Sequence, residues 1–565
     1  MRRSHTPGDS LTPPSWYRLG TEAGTARAAN RDRLSLYPLL VLVFLSTSAG
    51  FLMGQEIPDT LPDTIAPVVD SIVIVTENVF SPEEAKNTGI FRVANSLRFT
   101  TQHRFVEKEI LLKVGQPYDS LLAEETERNL RRLGLFRQVD VDTARVDGKL
   151  VATVHTRDSW STQPIVQLSI ASDGTWTGRF GLTESNLFGT GNMGHVAWRK
   201  DVDRDGLEFA TELRRVAGSS VNVGGRYFNL SDGNFGDWFA GDPWRSFNDR
   251  SAFTYRGAAA ARQAIQYRVE STEVTDTTRY WRNNYSHRVV GGYATRATPR
   301  AYTRIGILGE YRNQKYVLLS DTAQAVPDTI QGFVGVFGEY RRSQFMVTRF
   351  LNGFATEDID LSESLSLGLN LAPSVFGFEQ TGLGPSLTMQ AGSPLGDGFV
   401  HGRLHANGLF NSAGLDSGRV VLRVTVAQKP GLRHATVLHA RAGIMENPPP
   451  GGEFDLGFEF PPRSWSPHSF VGTRSLWGTL EHRWFPFDQI LKLAGLGLAG
   501  FLDYGGAWYA DQSPRWGGAV GVGIRTGWSR TSVADTGRID IGYRFGTGVT
   551  GNRWVVSFGG GWIFP

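Results

Sequence analysis

The chain has 565 residues, with 67 glycines, 12% aromatic residues and 40% hydrophobic residues. A helical membrane protein needs several runs of about 20 apolar residues, and this sequence has one, at 34–53. The lack of any cysteine excludes a disulfide scaffold, a thiolate metal site, a cysteine nucleophile and a lipoprotein anchor. The formal net charge of +3 gives no nucleic-acid footprint, because Arg2, Arg3, Arg18, Arg27, Arg31 and Arg33 against Asp9, Glu22 and Asp32 place that whole excess in the first 50 residues.

Arg31 and Arg33 precede the apolar stretch 36–45, and small residues follow at 46–50. This layout predicts a secretory signal over 1–54 with a long basic region, cleaved after Ala49 or a few residues later. A retained N-terminal anchor is the alternative. Pro58, Pro62 and Pro67 make 55–67 a linker.

Residues 68–157 read as a small α+β domain. Phe105, Val106, Ile110 and Leu111 have helical spacing within 101–112. Gly115 ends that stretch, Ser120 or Asp119 can cap a helix over 121–133, and Gly134 stops it. Alternation over 136–142 and 150–156, joined by Asp147-Gly148, predicts a hairpin. The apolar run 72–75 and the helix-like stretch 82–97 are expected as a degenerate piece packed against this unit.

From 158 to 565 strict alternation dominates, as in 165–171, 304–312, 333–341, 420–426 and 519–525. Such strands set lipid-facing apolar residues against glycine or polar residues in the lumen, and the average hydropathy of a membrane barrel therefore looks soluble. The expected fold is mainly β: an antiparallel transmembrane β-barrel of about 16 strands, since about 400 residues hold that number at about 10 residues each. Residues 229–250 and 445–469, rich in Gly, Asp, Asn and Pro, are expected as external loops. The last stretch places Ser557, Gly559, Trp562 and Phe564 in alternate register.

Several motifs carry a resemblance. The junction built on Gly115, Tyr118, Leu130, Gly134, Phe136 and Val139 resembles a POTRA domain, which implies a sheet edge able to pair with an extended client strand. A plain α+β spacer is the blander alternative. Residues 182–192, the strand motif Phe501, Asp503 and Gly505, and residues 473–486 resemble the BamA/TamA superfamily of outer-membrane proteins. Ser557, Gly559, Trp562 and Phe564 resemble the β-signal of outer-membrane proteins, with Pro565 as a departure.

The resemblance implies a sixth-loop arginine, in an Arg-Gly-aromatic tip, that meets the strand aspartate. Aligned on Gly452 and on the Pro-Pro-Arg-Ser stretch, the arginine position falls on Gly457, so Asp503 is expected to lack its usual partner. A buried carboxylate without a partner is costly. Arg463 or Arg474, in the same loop region, is therefore expected to reach Asp503, with lumen water as the alternative.

Two G-x-G-x-x-G stretches, 189–194 and 495–500, sit outside any βαβ unit and are not nucleotide loops. Asp201, Asp203, Asp205 and Glu212 have calcium-loop spacing without flanking helices, so a charged hairpin turn is the stronger reading. No enzyme and no cofactor are expected. The resemblance implies a bacterial outer-membrane protein with its N-terminal domain in the periplasm, which assists insertion or translocation of other proteins. Its partners would be outer-membrane lipids, unfolded outer-membrane or secreted clients at the POTRA edge, and periplasmic chaperones, with no nucleic acid. The alternative is a channel or surface-structural barrel that keeps the family fold without assembly activity, favoured by the missing loop arginine and the single POTRA copy.

Overall fold

The computed structural model describes residues 66–96, 98–171, 173–270, 273–319, 326–458, 460–530, 532, 536–549, 551–560 and 564. The expected signal over 1–54, and the linker up to residue 65, lie outside the described residues.

The N-terminal domain is one three-stranded sheet with helices packed on it. Its elements are β1 (Val69–Glu77), α1 (Pro82–Asn87), α2 (Gly89–Ser96), α3 (His103–Glu107), α4 (Ser120–Arg132), β2 (Phe136–Val146) and β3 (Lys149–Asp158). The sheet order is β1-β3-β2, with β1 parallel and β2 antiparallel to β3. The apolar run at 72–75 is thus not a degenerate piece: it is the third strand, and its Ile72 and Ile74 pack against the main cluster. α4 starts where the Asp119 carboxylate accepts from the Leu121 N–H at 2.8 Å, a side-chain N-cap. Ala123, Thr126 and Leu130 follow on its buried face at helical spacing. The helix expected over 101–112 shrinks to α3. Beyond it the Leu111 N–H is satisfied by the Thr126 hydroxyl at 3.1 Å, and Leu112 turns into a second cluster with Val69, Ala123 and Leu150.

Among the described residues the barrel has 20 strands, from Thr162–Ile170 to Trp554–Gly560, and closes with the last beside the first. This corrects the expectation of 16. The stretch 229–250, expected as a loop, contains the strand Gly233–Asp242, whose glycines and charges mask its alternation. All neighbouring pairs for which a register is described are antiparallel, as in Ser251–Glu270 against Glu273–Ala297. One strand shows why the segment folds this way: Ile305 and Ile307 are 52% and 68% exposed on the outer face, whereas Arg304, Glu310 and Arg312 are 2%, 6% and 6% exposed on the inner one. The outer face is thus apolar and the lumen charged. Trp238, Tyr255, Tyr285, His287 and Tyr311 form an aromatic group on the outside, placed as an interfacial girdle would be.

The N-terminal domain docks on one rim, the near rim. The Gln102 N–H donates to the Gly189 carbonyl at 2.9 Å, the Asn186 amide donates to Thr101 at 2.8 Å, and Arg530 donates to Glu84 at 2.6 Å. Two segments fill the lumen. From the near rim rises a hairpin, Phe345–Arg349 paired with Thr356–Asp360. From the far rim descends the long loop between the strands His434–Glu446 and Arg474–Ile490, which carries its own short ladder of Phe454–Leu456 on Phe470–Gly472. The strands Ser251–Glu270 and Glu273–Ala297 have 20 and 25 residues, against the 9–11 that roughly suffice to cross a bilayer. Their excess leans over the far mouth. There the Tyr509 hydroxyl donates to the Tyr267 carbonyl at 2.8 Å, and Arg268 meets Asp511 at 3.1 Å.

Candidate functional site: a loop arginine on the barrel wall

The descending loop ends in the tip Arg463, Ser464 and Trp465, with Arg463 and Trp465 0% and 2% exposed. Arg463 Nε donates to Asp503 Oδ2 at 2.7 Å, Nη2 to Oδ1 at 2.9 Å, and the backbone N–H to Oδ2 at 3.0 Å. Nη1 donates to Glu481 Oε2 at 2.7 Å and Nη2 to Thr479 Oγ1 at 2.9 Å. The guanidinium also lies 4.0 Å from the centre of the Phe501 ring, a cation–π distance.

The wall opposite is built by register. In Arg474–Ile490 and Ala494–Trp508, Thr479 faces Asp503 and Glu481 faces Phe501, so period-two alternation aims Thr479, Glu481, Phe501 and Asp503 into the lumen. The charges continue along the wall. Glu481 accepts from Arg483 at 2.8 Å and from Arg525 at 3.1 Å. Asp540 accepts from Arg525 at 2.6 Å and from Arg538 at 2.7 Å. Four arginines thus share three carboxylates, all fully or nearly buried. Each added partner offsets part of the several kcal/mol that roughly accompany desolvation of a buried ion.

Small residues let the loop approach. A Cβ on Gly517 would overlap the rings of Phe470 and Trp465, and one on Gly521 would come 2.7 Å from the Phe501 ring. Trp465 Nε1 donates to the Gly518 carbonyl at 3.0 Å. Gly505 is required for a similar reason, since a Cβ there would overlap Trp477.

Of the two arginines offered by the sequence, Arg463 makes the contact. Arg474 instead pairs with Glu446 and donates to the Met445 carbonyl at 2.5 Å. The alignment that put Gly457 at the arginine position is corrected. Gly457 has φ +109° and bridges to Phe460, forming a turn within the loop, and Gly452 closes a turn on Pro449 at 2.8 Å. Ser464, with φ +72°, holds the left-handed place that a glycine after the arginine would take. The sequence hid this contact because Ser464 stands where the pattern implied by the resemblance has Gly.

The other predicted residues fall elsewhere. Leu130, Phe136 and Val139 share one apolar cluster with Phe105 and Val106. Gly115 and Gly134 have φ of +81° and +72° at turns, and Tyr118 packs beside Leu112 and Leu150. The four carboxylates with calcium-loop spacing face different partners: Asp201 accepts from Arg199 at 2.7 Å, Asp203 engages Tyr267 and His468, and Asp205 opens a strand along which Glu212 lies seven residues on, bonded to Arg214 at 3.1 Å. At about 3.3 Å per residue the two ends are roughly 23 Å apart, and no metal-holding group is present among the described residues. Ser557 and Gly559 lie beside Arg538; Trp562 lies outside the described residues. Sequence reasoning missed Glu481, Arg483, Arg525, Arg538 and Asp540. Their signal was charge at alternate positions of three strands, Glu481/Arg483, Arg525 and Arg538/Asp540.

No protein-family model matches the chain. The outer membrane protein assembly factor BamA of Neorickettsia risticii (strain Illinois) is 22% identical over 190 residues, which span 34% of this chain and 25% of that protein. Among solved structures, CdiB from Escherichia coli aligns with a TM-score of 0.45 at 12% identity, covering 95% of this chain and 99% of that one. BamA from Haemophilus ducreyi lacking POTRA domains 1-3 aligns with a TM-score of 0.37 at 10% identity, covering 88% and 84%. The chain is thus similar, over about a third of its length, to a BamA outer membrane protein assembly factor, and its loop arginine sits on the strand aspartate as that resemblance implies.

Proposed function

We propose that this protein is a BamA-like outer-membrane protein that assists insertion or translocation of client proteins, with 68–157 as its POTRA domain in the periplasm. The observation that carries the reading is Arg463 on Asp503. It supplies the loop-to-wall lock whose absence would have favoured a channel or surface-structural barrel without assembly activity. In this reading the near rim faces the periplasm, the apolar outer face meets outer-membrane lipids, and periplasmic chaperones deliver clients to the docked domain.

The sheet has two edges, and they differ. On β2 the Val141 N–H donates to Glu127 at 2.9 Å and the Val139 carbonyl accepts from Arg131 at 3.3 Å, so side chains of α4 already occupy that edge. The outer edge of β1 is taken at its start, where the Val69 N–H donates to the Gln116 carbonyl at 3.0 Å and the Val69 carbonyl accepts from the Gly115 N–H at 2.9 Å; among the described residues no strand pairs with the rest of that edge, which is the better place for a client strand to add. The client's own folding free energy drives the step, and no covalent chemistry is required.

Depletion of the protein, followed by proteomics of the outer membrane, tests the reading. Loss of a set of barrel or secreted proteins is expected, together with crosslinks from β1 to them. An unchanged outer-membrane proteome would refute it. Stable large openings in a planar bilayer would instead support the channel.

A further inference from the structure

The near-rim hairpin makes contacts that filling a lumen does not require. Asn352, in its turn, treats Phe564 as a strand would. The Phe564 N–H donates to Asn352 Oδ1 at 2.7 Å, and Asn352 Nδ2 donates to the Phe564 carbonyl at 2.9 Å. Reading both main-chain groups of one residue is recognition by backbone. The amide is itself held, since Glu357 accepts from the Asn352 N–H at 2.9 Å and from Nδ2 at 2.6 Å. The Phe564 ring is 2% exposed and enters one cluster with Leu351, Ile359, Leu361, Phe399, Ala427, Ala435 and Val437. Arg483 covers it, with the guanidinium 4.8 Å from the ring centre and Nη1 donating to the Leu351 carbonyl at 2.8 Å.

The same hairpin is gripped from the other side. Arg131 of α4 clamps Asp358 through Nε–Oδ2 and Nη2–Oδ1, both 2.8 Å, and Arg128 lies 4.4 Å from the Phe345 ring centre. A bidentate guanidinium–carboxylate pair fixes orientation as well as distance.

We propose that the hairpin Phe345–Arg349/Thr356–Asp360 is a binding site for an aromatic residue that follows a β-strand, occupied by the chain's own Phe564, and that through it the N-terminal domain holds the closing strand of the barrel. The ligand class is a peptide segment with one aromatic ring and free main-chain N–H and C=O groups. Phe564 lies four residues past the strand Trp554–Gly560, which has seven residues and is the shortest of the barrel among those described. Its hold on the neighbouring Thr162–Ile170 is therefore sensitive to what anchors the residues beyond it. When the N-terminal domain shifts and Asp358 is pulled, Asn352 moves with the hairpin and the anchor slackens.

Amide hydrogen exchange on the full chain in detergent micelles tests this without any client, so it stands or falls apart from the assembly reading. Asn352→Ala should speed exchange in 554–560 and 162–170 about tenfold, the loss expected for one or two net hydrogen bonds, with 414–431 unchanged. Asp358→Ala should speed the same two segments by less. Phe564→Ala should reproduce Asn352→Ala, and Phe564→Tyr should not. If Asn352→Ala does not fold, Asn352→Asp, which keeps the acceptor and loses the donor, takes its place with the same expectation. Variants that fold and exchange like the wild type in both segments would overturn the proposal. So would acceleration spread evenly over all strands, which would mean general destabilisation.

Discussion

Arg463 and Asp503, 40 residues apart, share three hydrogen bonds, and one of them comes from the arginine's own backbone. A side-chain truncation therefore removes two bonds and leaves one. Arg463→Ala should destabilise the barrel by about 3–5 kcal/mol, the cost of breaking a buried pair from one side. Asp503→Ala should cost at least as much, because it strips all three bonds. The double variant should cost clearly less than the sum. Heat-modifiable migration on gels reads all three, and strictly additive effects would show that the pair does not act as a unit.

Ser464 carries φ +72° beside this arginine. A left-handed conformation costs a residue with a side chain about 1–2 kcal/mol relative to glycine. Ser464→Gly should thus raise the unfolding temperature, and Ser464→Val should lower it by more. Equal melting of all three proteins would show that the tip is not strained.

His468 sits between Asp203 and Asp455, 2.7 Å from the latter. Burial lowers its pKa, but the hydrogen bonds and charges of the two carboxylates outweigh that and push it up to about 10. The folded value lies above the ordinary 6.5, so protonation stabilises this contact fully below that pH. The contribution should fade as pH rises from 6.5 towards 10. Melting of the wild type should fall over this window, and His468→Gln should show a flatter profile. A wild-type profile as flat as the variant's would contradict the assignment.

Gly517 is covered by the rings of Phe470 and Trp465, whereas a Cβ on Gly500 would meet nothing within 4 Å. Gly517→Ala should cost about 1–3 kcal/mol by overpacking and shift tryptophan fluorescence as Trp465 moves. Gly500→Ala serves as the control and should melt like the wild type. Similar losses at both sites would point to strand propensity instead of loop seating.

The carboxylates at 201–212 point to different partners. Adding calcium, or removing it with a chelator, should leave the melting temperature unchanged. A calcium-dependent rise lost in Asp203→Asn would reverse this conclusion.

Much of this arrangement could be read from the residues in order, and the failures have physical causes. The strand aspartate came from the resemblance of Phe501, Asp503 and Gly505 to a family strand motif, the need for a compensating arginine followed from the cost of a bare buried carboxylate, and Arg463 was one of two residues offered. Its likeness to the loop arginine that the resemblance implies was hidden because Ser464 adopts a backbone shape usually marked by glycine. Strand Gly233–Asp242 was read as loop because six of its ten residues are glycine, aspartate or asparagine, a composition typical of turns. The hairpin at 345–360 left no trace, since nothing in its sequence says that it folds inward and not outward. The wall charges were visible as alternation but not as a network, because cross-strand register is absent from a linear reading.

Twenty strands in place of 16 have a consequence for the bore. Barrel diameter grows roughly in proportion to strand number, so the cross-section is larger by about half. One inserted loop is a poor stopper for an opening of that size, and the chain fits two, one from each end. Both rest on one pair of wall residues: Arg463 of the upper stopper donates to Glu481, and Arg483, which also donates to Glu481, holds the Leu351 carbonyl of the lower one. Withdrawing the upper one strips Glu481 of a positive partner, and withdrawing the lower one strips Arg483 of an acceptor. The two stoppers are therefore linked through Glu481 and Arg483, and loosening one disturbs the footing of the other.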